Sequence, residues 1–224
     1  MNRSAFATVS QQLSLTAHQV RGLSRRRRLA RPAPGPVHRS IVVIDIAGSA
    51  KWHNQAQLSA RAALRAATQH AVRDAGIGWA NVVVEDRGDG LILLIPPSVS
   101  KVDILDPLIP RLAEEIREYN ATVPLGLKIR LRVAIHAGEV DRDGHGWIGN
   151  DLIIACRLVN GEPLYQRLAH HPAASLVLVV SDLIYQGVVR HYYRNIDPGH
   201  YTRVQVSAKE FDAPAWLHIP DSAA

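Results

Sequence analysis

The order in which strand-like and helix-like segments follow one another is the strongest constraint on this fold. Residues 40–48 are a continuous apolar run that ends in Gly48, which is typical of a buried strand. Residues 55–75 are rich in Ala, Leu and Arg, carry an approximate helical stripe and end at a glycine. Residues 80–86 and 91–95 flank a Gly-rich turn, which predicts a β-hairpin.

The next two segments complete a recognisable supersecondary order. Residues 104–120 place apolar side chains at helical spacing, and residues 128–136 alternate apolar with polar side chains as a strand does. The first six elements therefore run β-α-β-β-α-β, which predicts a ferredoxin-like α/β (α+β) sheet with C-terminal additions. For the remainder we expect a hairpin at 139–141 and 146–148, helices at 151–158, 164–170 and 182–190, and strands at 176–180, 201–207 and 215–219.

The charge is unevenly distributed along the chain. Of the 26 basic residues, eight are arginines within residues 1–40, which leaves 18 basic against 20 acidic residues in the remainder. We therefore interpret residues 1–39 as a disordered, Arg- and Pro-rich tail and residues 40–220 as the domain. The domain has no basic surplus of the kind that marks a nucleic-acid binder. A tail that associates with nucleic acid or an anionic membrane is the competing hypothesis.

Composition also restricts the compartment and the architecture. A single cysteine, Cys156, excludes a disulfide within the chain and favours a reducing, cytoplasmic location. We find no run of about 18 or more apolar residues, so the sequence predicts no membrane span.

Two carboxylates occupy positions that folding alone does not favour. Asp45 ends the first apolar strand, and Asp89 lies between glycines at the tip of the hairpin. The predicted topology sets the first strand beside the hairpin, so the two side chains can approach each other. Converging carboxylates repel unless a cation lies between them, and Mg²⁺ prefers such oxygen ligands. The alternative is that Asp89 only builds a turn and Asp45 only caps the next element.

Four segments, read together, resemble a known family. They are 42–48, 88–90, 131–140 and 149–158, with the sequences VVIDIAG, GDG, LRVAIHAGEV and GNDLIIACRL. In this order and at these intervals they resemble the signature blocks of class III adenylyl/guanylyl (nucleotidyl) cyclases, as a divergent bacterial-type member. The resemblance spans roughly residues 38–220.

The resemblance implies a two-metal site. It gives Asp45 and Asp89 the role of holding two Mg²⁺ or Mn²⁺ ions, with the backbone carbonyl of Ile46 as a further ligand. It gives Arg132 and Lys209 contacts to the phosphates of a nucleoside triphosphate.

The same resemblance gives Arg157 the role of stabilising the transition state. Fixed guanidinium groups suit the charge that develops on a transferring phosphoryl group. Surface salt bridges are the alternative for Arg132 and Arg157.

The positions that would read the base and the transition state depart from the family pattern. The base-reading positions correspond to Glu85 and Gly146. A carboxylate at 85 suits guanine, and a glycine at 146 has no side chain to read a base, so a guanine or pyrimidine nucleotide is favoured over ATP. Ile153 stands where the family carries an asparagine, and loss of one such donor typically costs ~10²–10³ in turnover.

These features lead to two leading hypotheses. The first is a cyclase that converts a nucleoside triphosphate to a 3′,5′-cyclic nucleotide and pyrophosphate in intracellular signalling, working as a head-to-tail homodimer. The alternative is a catalytically impaired cyclase-homology domain that serves as a nucleotide-binding or regulatory module.

Overall fold

A computed structural model describes residues 35–220 of the chain. Most of the predicted tail, residues 1–39, lies outside the described residues. The described strands are β1 Val37–Ile46, β2 Val83–Asp86, β3 Gly90–Ile95, β4 Leu131–Arg142, β5 Trp147–Ile148, β6 Leu176–Ser181, β7 Thr202–Ala208 and β8 Phe211–His218. The longer helices are α1 Asn54–Asp74, α2 Ile109–Thr122, α3 Asn150–Val159, α4 Glu162–His170 and α5 Asp182–Gly187.

Short helical turns connect these elements. They are Ser49–Lys51, Trp79–Asn81, Lys101–Asp103, Ile104–Leu108, Leu125–Leu127, Val189–His191 and Pro198–His200. Within residues 35–220, none of the helices combines the length and the apolar character needed to cross a membrane.

The sheet confirms the predicted ferredoxin-like order. Its strands run β2-β3-β1-β4-β6-β8-β7, with β5 paired to β4 off this path. The first four strands therefore lie in the order β2-β3-β1-β4 that the βαββαβ pattern predicts, and β6, β8 and β7 extend the sheet on the far side of β4. β1 is central and pairs antiparallel with both β3 and β4, which sets Asp45 opposite Gly90 on one side and Arg132 on the other.

Alternating side chains of β1 supply two separate cores. Val42, Ile44 and Ile46 are buried in a cluster with residues of α1 and α2, whereas Ile41 and Val43 are buried in a cluster with residues of α3 and α4. Successive side chains of a strand point to opposite faces of its sheet. Residue 45 therefore projects to the same face as α3, which is the helix that carries Ile153 and Arg157.

Several predicted boundaries differ from the structure. β1 begins at Val37, before the predicted domain start at residue 40, and β2 begins at 83 rather than 80. The helix expected at 104–120 is interrupted at Asp106 (φ −149°, ψ 108°), because Pro107 has no N–H to continue the helical hydrogen bonds. The helix expected at 182–190 ends at Gly187.

The central strand is displaced along the sequence. β4 runs from Leu131 to Arg142, whereas the alternation predicted a strand at 128–136. Arg130 stays outside it and donates hydrogen bonds to the backbone carbonyls of Leu168, His171 and Ala174. His136 is thus in the middle of a buried strand rather than at its end.

Candidate active site

The two carboxylates that the sequence singled out meet at one edge of the sheet. Asp45 lies near the end of β1, and Asp89 lies in the turn between β2 and β3. The Ile46 N–H donates to the backbone carbonyl of Asp89 over 3.0 Å. A Cβ atom on Gly90 would lie 2.4 Å from the carbonyl oxygen of Ile44. Only a glycine therefore lets the hairpin tip approach the end of β1 this closely.

Both carboxylates face a groove of ≈ 400 Å³ between the sheet and α3. Residues of β1 and β3 form its apolar floor, and α3 forms one wall. The groove is lined by Val43, Ile44, Asp45, Arg87, Asp89, Gly90, Leu91, Ile92, Leu152, Ile153, Cys156, Arg157, Val159 and Asn160. The structure thus brings Asp45, Asp89 and Arg157 to one cavity within a single chain.

Asp45 has a buried cationic partner. The Nε atom of Arg132 donates to Asp45 Oδ2 over 3.0 Å, and Nη2 of the same guanidinium donates to the same oxygen. The guanidinium carbon lies 3.8 Å from the ring centroid of Tyr165 on α4. Burial raises the pKa of Asp45, and the negative charge of Asp89 raises it further. The hydrogen bond from Arg132 and its positive charge lower this pKa, but by less, so the pKa of Asp45 stays above its usual value.

Arg132 is therefore enclosed rather than presented to a ligand. It is 7% exposed and is not among the residues that line the groove. The position of Arg132 therefore does not support the phosphate contact that the resemblance implied. The alternative, a salt bridge on the surface, does not fit either, because the ion pair with Asp45 is buried. No local pattern in the sequence pointed to Tyr165, because residues 132 and 165 meet only through the packing of α4 on the sheet.

Asp89 is held by a hydroxyl group from the turn after β1. Ser49 Oγ donates to Asp89 Oδ2 over 2.6 Å. Asp89 also borders a second groove of ≈ 290 Å³, which Ile46, Ser49 and Arg87 help to line. Ser49 is a site residue that the sequence analysis missed. The one feature of the sequence that could have indicated it is its position directly after Gly48.

The two carboxylates suit a divalent ion that brings other ligands with it. Within residues 35–220, no cluster of three or more His, Cys, Asp or Glu side chains is placed to hold a metal ion. Mg²⁺ is commonly bound through one or two carboxylates and completed by water and substrate phosphates. Asp45 and Asp89 match that requirement.

The two predicted base-reading positions are neighbours. A Cβ atom on Gly146 would lie 3.6 Å from Glu85 Oε1, and the Trp147 N–H lies 3.4 Å from the same oxygen. Arg87, which the sequence did not mark as a site residue, donates to Glu85 Oε2 over 2.6 Å. Glu85 is thus oriented by a neighbouring guanidinium, and neither Glu85 nor Gly146 is among the residues that line the groove.

Helix α3 presents both of its predicted site residues to the groove. Ile153 is 53% exposed there, an unusual exposure for a large apolar side chain. Arg157 lies one helical turn further on, and the structure records no ion pair for it within residues 35–220. Burial raises the pKa of the adjacent Cys156 thiol, so this cysteine is not activated as a nucleophile.

Lys209 is the predicted site residue that does not join the others. It lies in the turn between β7 and β8, at the edge of the sheet furthest from β2, and its φ of 55° is in the left-handed region. It is exposed and does not line the groove. Within one chain, therefore, its predicted contact with the triphosphate has no geometric support.

The comparison with solved structures decides the fold. The adenylate/guanylate cyclase/hydrolase from Silicibacter pomeroyi matches with a TM-score of 0.59 at 16% identity, covering 84% of this chain and 100% of the other. The guanylyl cyclase Cya2 matches with a TM-score of 0.56 at 16% identity, covering 82% and 92%. The chain has the catalytic-domain fold of the class III nucleotidyl cyclases.

A third cyclase domain of this fold shows the same extent of similarity. The guanylate cyclase domain of RhGC from Catenaria anguillulae, in complex with GTP, matches with a TM-score of 0.53 at 15% identity, covering 83% of this chain and 97% of the other. No protein-family model and no curated protein matches the sequence. The similarity to cyclases is thus one of fold.

In this cyclase fold a buried polar network tethers α3 to the sheet. His136 lies 2.9 Å from Ser181 Oγ through Nδ1 and 3.1 Å from Asp151 Oδ1 through Nε2. The Glu139 N–H donates to Asp151 Oδ2 over 2.7 Å. Burial lowers the pKa of His136 more than Asp151 raises it, so the imidazole is neutral at pH 7. The sequence did not reveal this network, because its members come from β4, α3 and β6.

Proposed function

We propose that the protein is a nucleotidyl cyclase that converts a nucleoside triphosphate to a 3′,5′-cyclic nucleotide and pyrophosphate. The observation that carries the proposal is the placement of Asp45 and Asp89 at one groove on a cyclase catalytic-domain fold. In the reaction the ribose 3′-oxygen attacks the α-phosphorus, the bond from the α-phosphorus to the bridging oxygen breaks, and the 3′-hydroxyl proton is lost to solvent.

Each part of the groove has a task in that reaction. Asp45 and Asp89 would hold two Mg²⁺ or Mn²⁺ ions, assisted by the backbone carbonyl of Ile46. Such ions lower the pKa of a bound hydroxyl and neutralise the leaving oxygen. Arg157 directs its guanidinium at the charge that develops on the phosphoryl group. The apolar floor keeps water away from the sugar and the base.

We propose a guanine or pyrimidine nucleotide as the substrate in preference to ATP. Glu85 offers a carboxylate that accepts hydrogen bonds, and the guanine N1–H and exocyclic amine are suitable donors. The glycine at 146, beside Glu85, adds no side chain that would select adenine. The related cyclase domain of RhGC binds GTP, which is consistent with this choice.

We further propose that two chains associate head to tail, so that the carboxylates of one face Arg157 and Lys209 of the other. Cyclic-nucleotide signalling in the cytoplasm would be the setting, and the single free cysteine suits a reducing compartment.

One observation favours a second function. Ile153 places an apolar side chain in the groove where a hydrogen-bond donor would assist the transition state. A domain of this kind can bind a metal–nucleotide complex without turning it over, and would then serve as a nucleotide-binding or regulatory module.

One assay separates the two functions. The purified full chain is incubated with ATP, GTP, CTP and UTP, each with Mn²⁺, and products are separated by chromatography. We expect a cyclic nucleotide from GTP or a pyrimidine nucleotide, and none from Asp45→Ala. Arg111→Met, which removes an exposed helix ion pair with Glu114, is the control and should match the wild type. If no nucleotide gives more product than with Asp45→Ala, the cyclase proposal fails.

A further inference from the structure

A further cavity, of ≈ 390 Å³, lies where α2 ends and where β4 and β6 begin. Among the described residues that line it, the charged side chains are all cationic, namely those of Arg117, Lys128 and Arg130. We call it the basic cavity. It shares no lining residue with the groove that holds Asp45 and Asp89, or with the smaller groove beside Asp89. The basic cavity is therefore separate from the proposed catalytic site.

The segment that precedes β4 holds two of these cations in place. Asn120 on α2 donates through Nδ2 to the carbonyl of Ile129 and accepts from the Ile129 N–H at Oδ1, both over 2.7 Å. The side chain of Ile129 is buried in the core. Because successive side chains of an extended segment point to opposite sides, Lys128 and Arg130 both project away from the core and into the basic cavity.

The guanidinium of Arg130 is partly buried and is bound to neutral groups. Its Nε and Nη2 atoms donate to three backbone carbonyl groups. Within residues 35–220, the structure records no hydrogen bond from its Nη1 atom, and no ion pair for either Arg130 or Lys128. Burial lowers the pKa of Arg130, which is the effect expected where no carboxylate compensates a desolvated charge. The basic cavity thus has positive charge and a free guanidinium nitrogen to offer.

The surroundings of the basic cavity favour a small anion over an extended polyanion. Glu114 and Glu118 flank Arg117 on α2, and neither carboxylate lines the cavity. They would repel a membrane surface or a nucleic acid laid across this face, whereas a small anion inside the cavity would avoid them. A phosphate-bearing anion offers several acceptor oxygens, which suits donors that reach it from different side chains.

We propose that the basic cavity is a binding site for a small phosphate-bearing anion, such as pyrophosphate or a phosphate ester. Nη1 of Arg130 and Nζ of Lys128 donate to its oxygens. The three carbonyl groups that hold the rest of the Arg130 guanidinium keep Nη1 in place. The ligand binds without a divalent ion, since the cavity supplies the positive charge itself.

Calorimetric titration of the full-length protein with pyrophosphate tests the proposal. EDTA is present, so that no divalent ion can hold the anion at Asp45 and Asp89. We expect one pyrophosphate per chain and binding at least about tenfold weaker in Lys128→Glu, because a donor becomes a repelling charge. Lys128 is exposed, so the fold tolerates this change. Arg73→Glu reverses the charge at an exposed position of α1 outside the cavity and should bind as the wild type does.

Lysine acetylation, read by mass spectrometry, locates the anion without any substitution. Pyrophosphate should protect Lys128 and leave Lys101, which lies outside the cavity, as reactive as before. Lys51 follows Ser49 in the turn beside Asp89 and reports on the catalytic edge. Protection of Lys51 in place of Lys128 would put the anion at the catalytic site and overturn the proposal.

Two other results would also overturn it. One is an affinity for pyrophosphate that is equal in wild type and Lys128→Glu, or no binding at millimolar pyrophosphate. The other is sedimentation with phosphatidylserine vesicles that Lys128→Glu weakens while neither protein binds pyrophosphate, which would make this face a membrane contact. None of these measurements requires turnover, so failure of the cyclase proposal would leave this one standing.

Discussion

At the scale of single residues, the contact between β4 and α3 depends on Gly138, which has no side chain. A Cβ atom on Gly138 would lie 2.0 Å from Asp151 Oδ2, a distance at which the carboxylate must move. We expect Gly138→Ala to destabilise the fold by about 1–3 kcal/mol, as overpacking of an enclosed position usually does.

Urea denaturation followed by circular dichroism measures the effect of Gly138→Ala. Gly126→Ala is the matched control, because a Cβ atom there would meet nothing within 4 Å. Equal midpoints for the two variants would show that Asp151 is not held against β4.

Ile153 provides a residue-scale test of whether the groove has lost a catalytic donor. We expect Ile153→Asn to raise kcat by about tenfold or more, because it returns an amide to the side of the groove where the transition state forms. Leu183→Asn is the control, since Leu183 is also 53% exposed on a helix but does not line the groove. Product formation and the unfolding midpoint are measured for both, and a gain in kcat for neither would count against an eroded active site.

The sequence predicted Asp45 and Asp89 as site residues because a charge at a strand end and a charge at a Gly-flanked turn are locally conspicuous. It did not predict that Arg132 binds Asp45, although it named both residues. They are 87 positions apart, and their pairing depends on the register of β1 against β4. Local patterns identify chemically unusual side chains, whereas contacts between strands follow from the pairing of the whole sheet.

At the scale of elements, the network of His136, Asp151 and Ser181 joins α3 to the sheet and makes stability depend on pH. Burial lowers the folded-state pKa of His136 below its ordinary 6.5. Below pH 6.5 the unfolded chain therefore takes up a proton at His136 that the folded chain does not, so stability falls as the pH decreases through that range.

We expect His136→Asn to lose stability at neutral pH and to show a weaker dependence between pH 7 and pH 5 than the wild type. Asp151 and His38 are the titratable neighbours that influence the pKa of His136, and both remain in the variant. Urea titrations at a series of pH values measure the difference. Parallel curves for the two proteins would mean that His136 titrates alike in the folded and unfolded chains.

The boundaries of helix α3 were predicted more closely than those of strand β4. The helix expected at 151–158 is close to the observed Asn150–Val159. The boundaries of β4 were predicted less well because alternation also extends into residues 128–130, where Arg130 is drawn out of the strand by three carbonyl groups. Tertiary hydrogen bonds decided that boundary, and they have no periodic signal.

At the scale of the whole molecule, the βαββαβ order was sufficient to predict how the first four strands are arranged in the sheet. Short connections between neighbouring elements allow only a few topologies, so the order β2-β3-β1-β4 on one side of the sheet was well determined. The strands added after β4 were located in sequence, but nothing in their pattern predicted that β8 would lie between β6 and β7.

The proposed head-to-tail dimer gives the last prediction. Asp45 and Arg157 line one groove in a single chain, so the reaction can in principle use both from the same chain or one from each of two chains. A symmetric dimer with shared sites carries two sites, each built from the carboxylates of one chain and the arginine of the other. Asp45→Asn and Arg157→Met would each be inactive alone, because every site would lack one group.

In a mixed dimer of these two variants, one site carries both substitutions and the other carries neither. Mixing equal amounts after dissociation should therefore restore about a quarter of the wild-type activity, since half of the dimers are mixed and each has one intact site. Differently tagged chains allow the mixed dimer to be isolated and its cyclic product measured. An isolated mixed dimer without activity would show that Asp45 and Arg157 act from the same chain, and the groove within one chain would then be the complete active site.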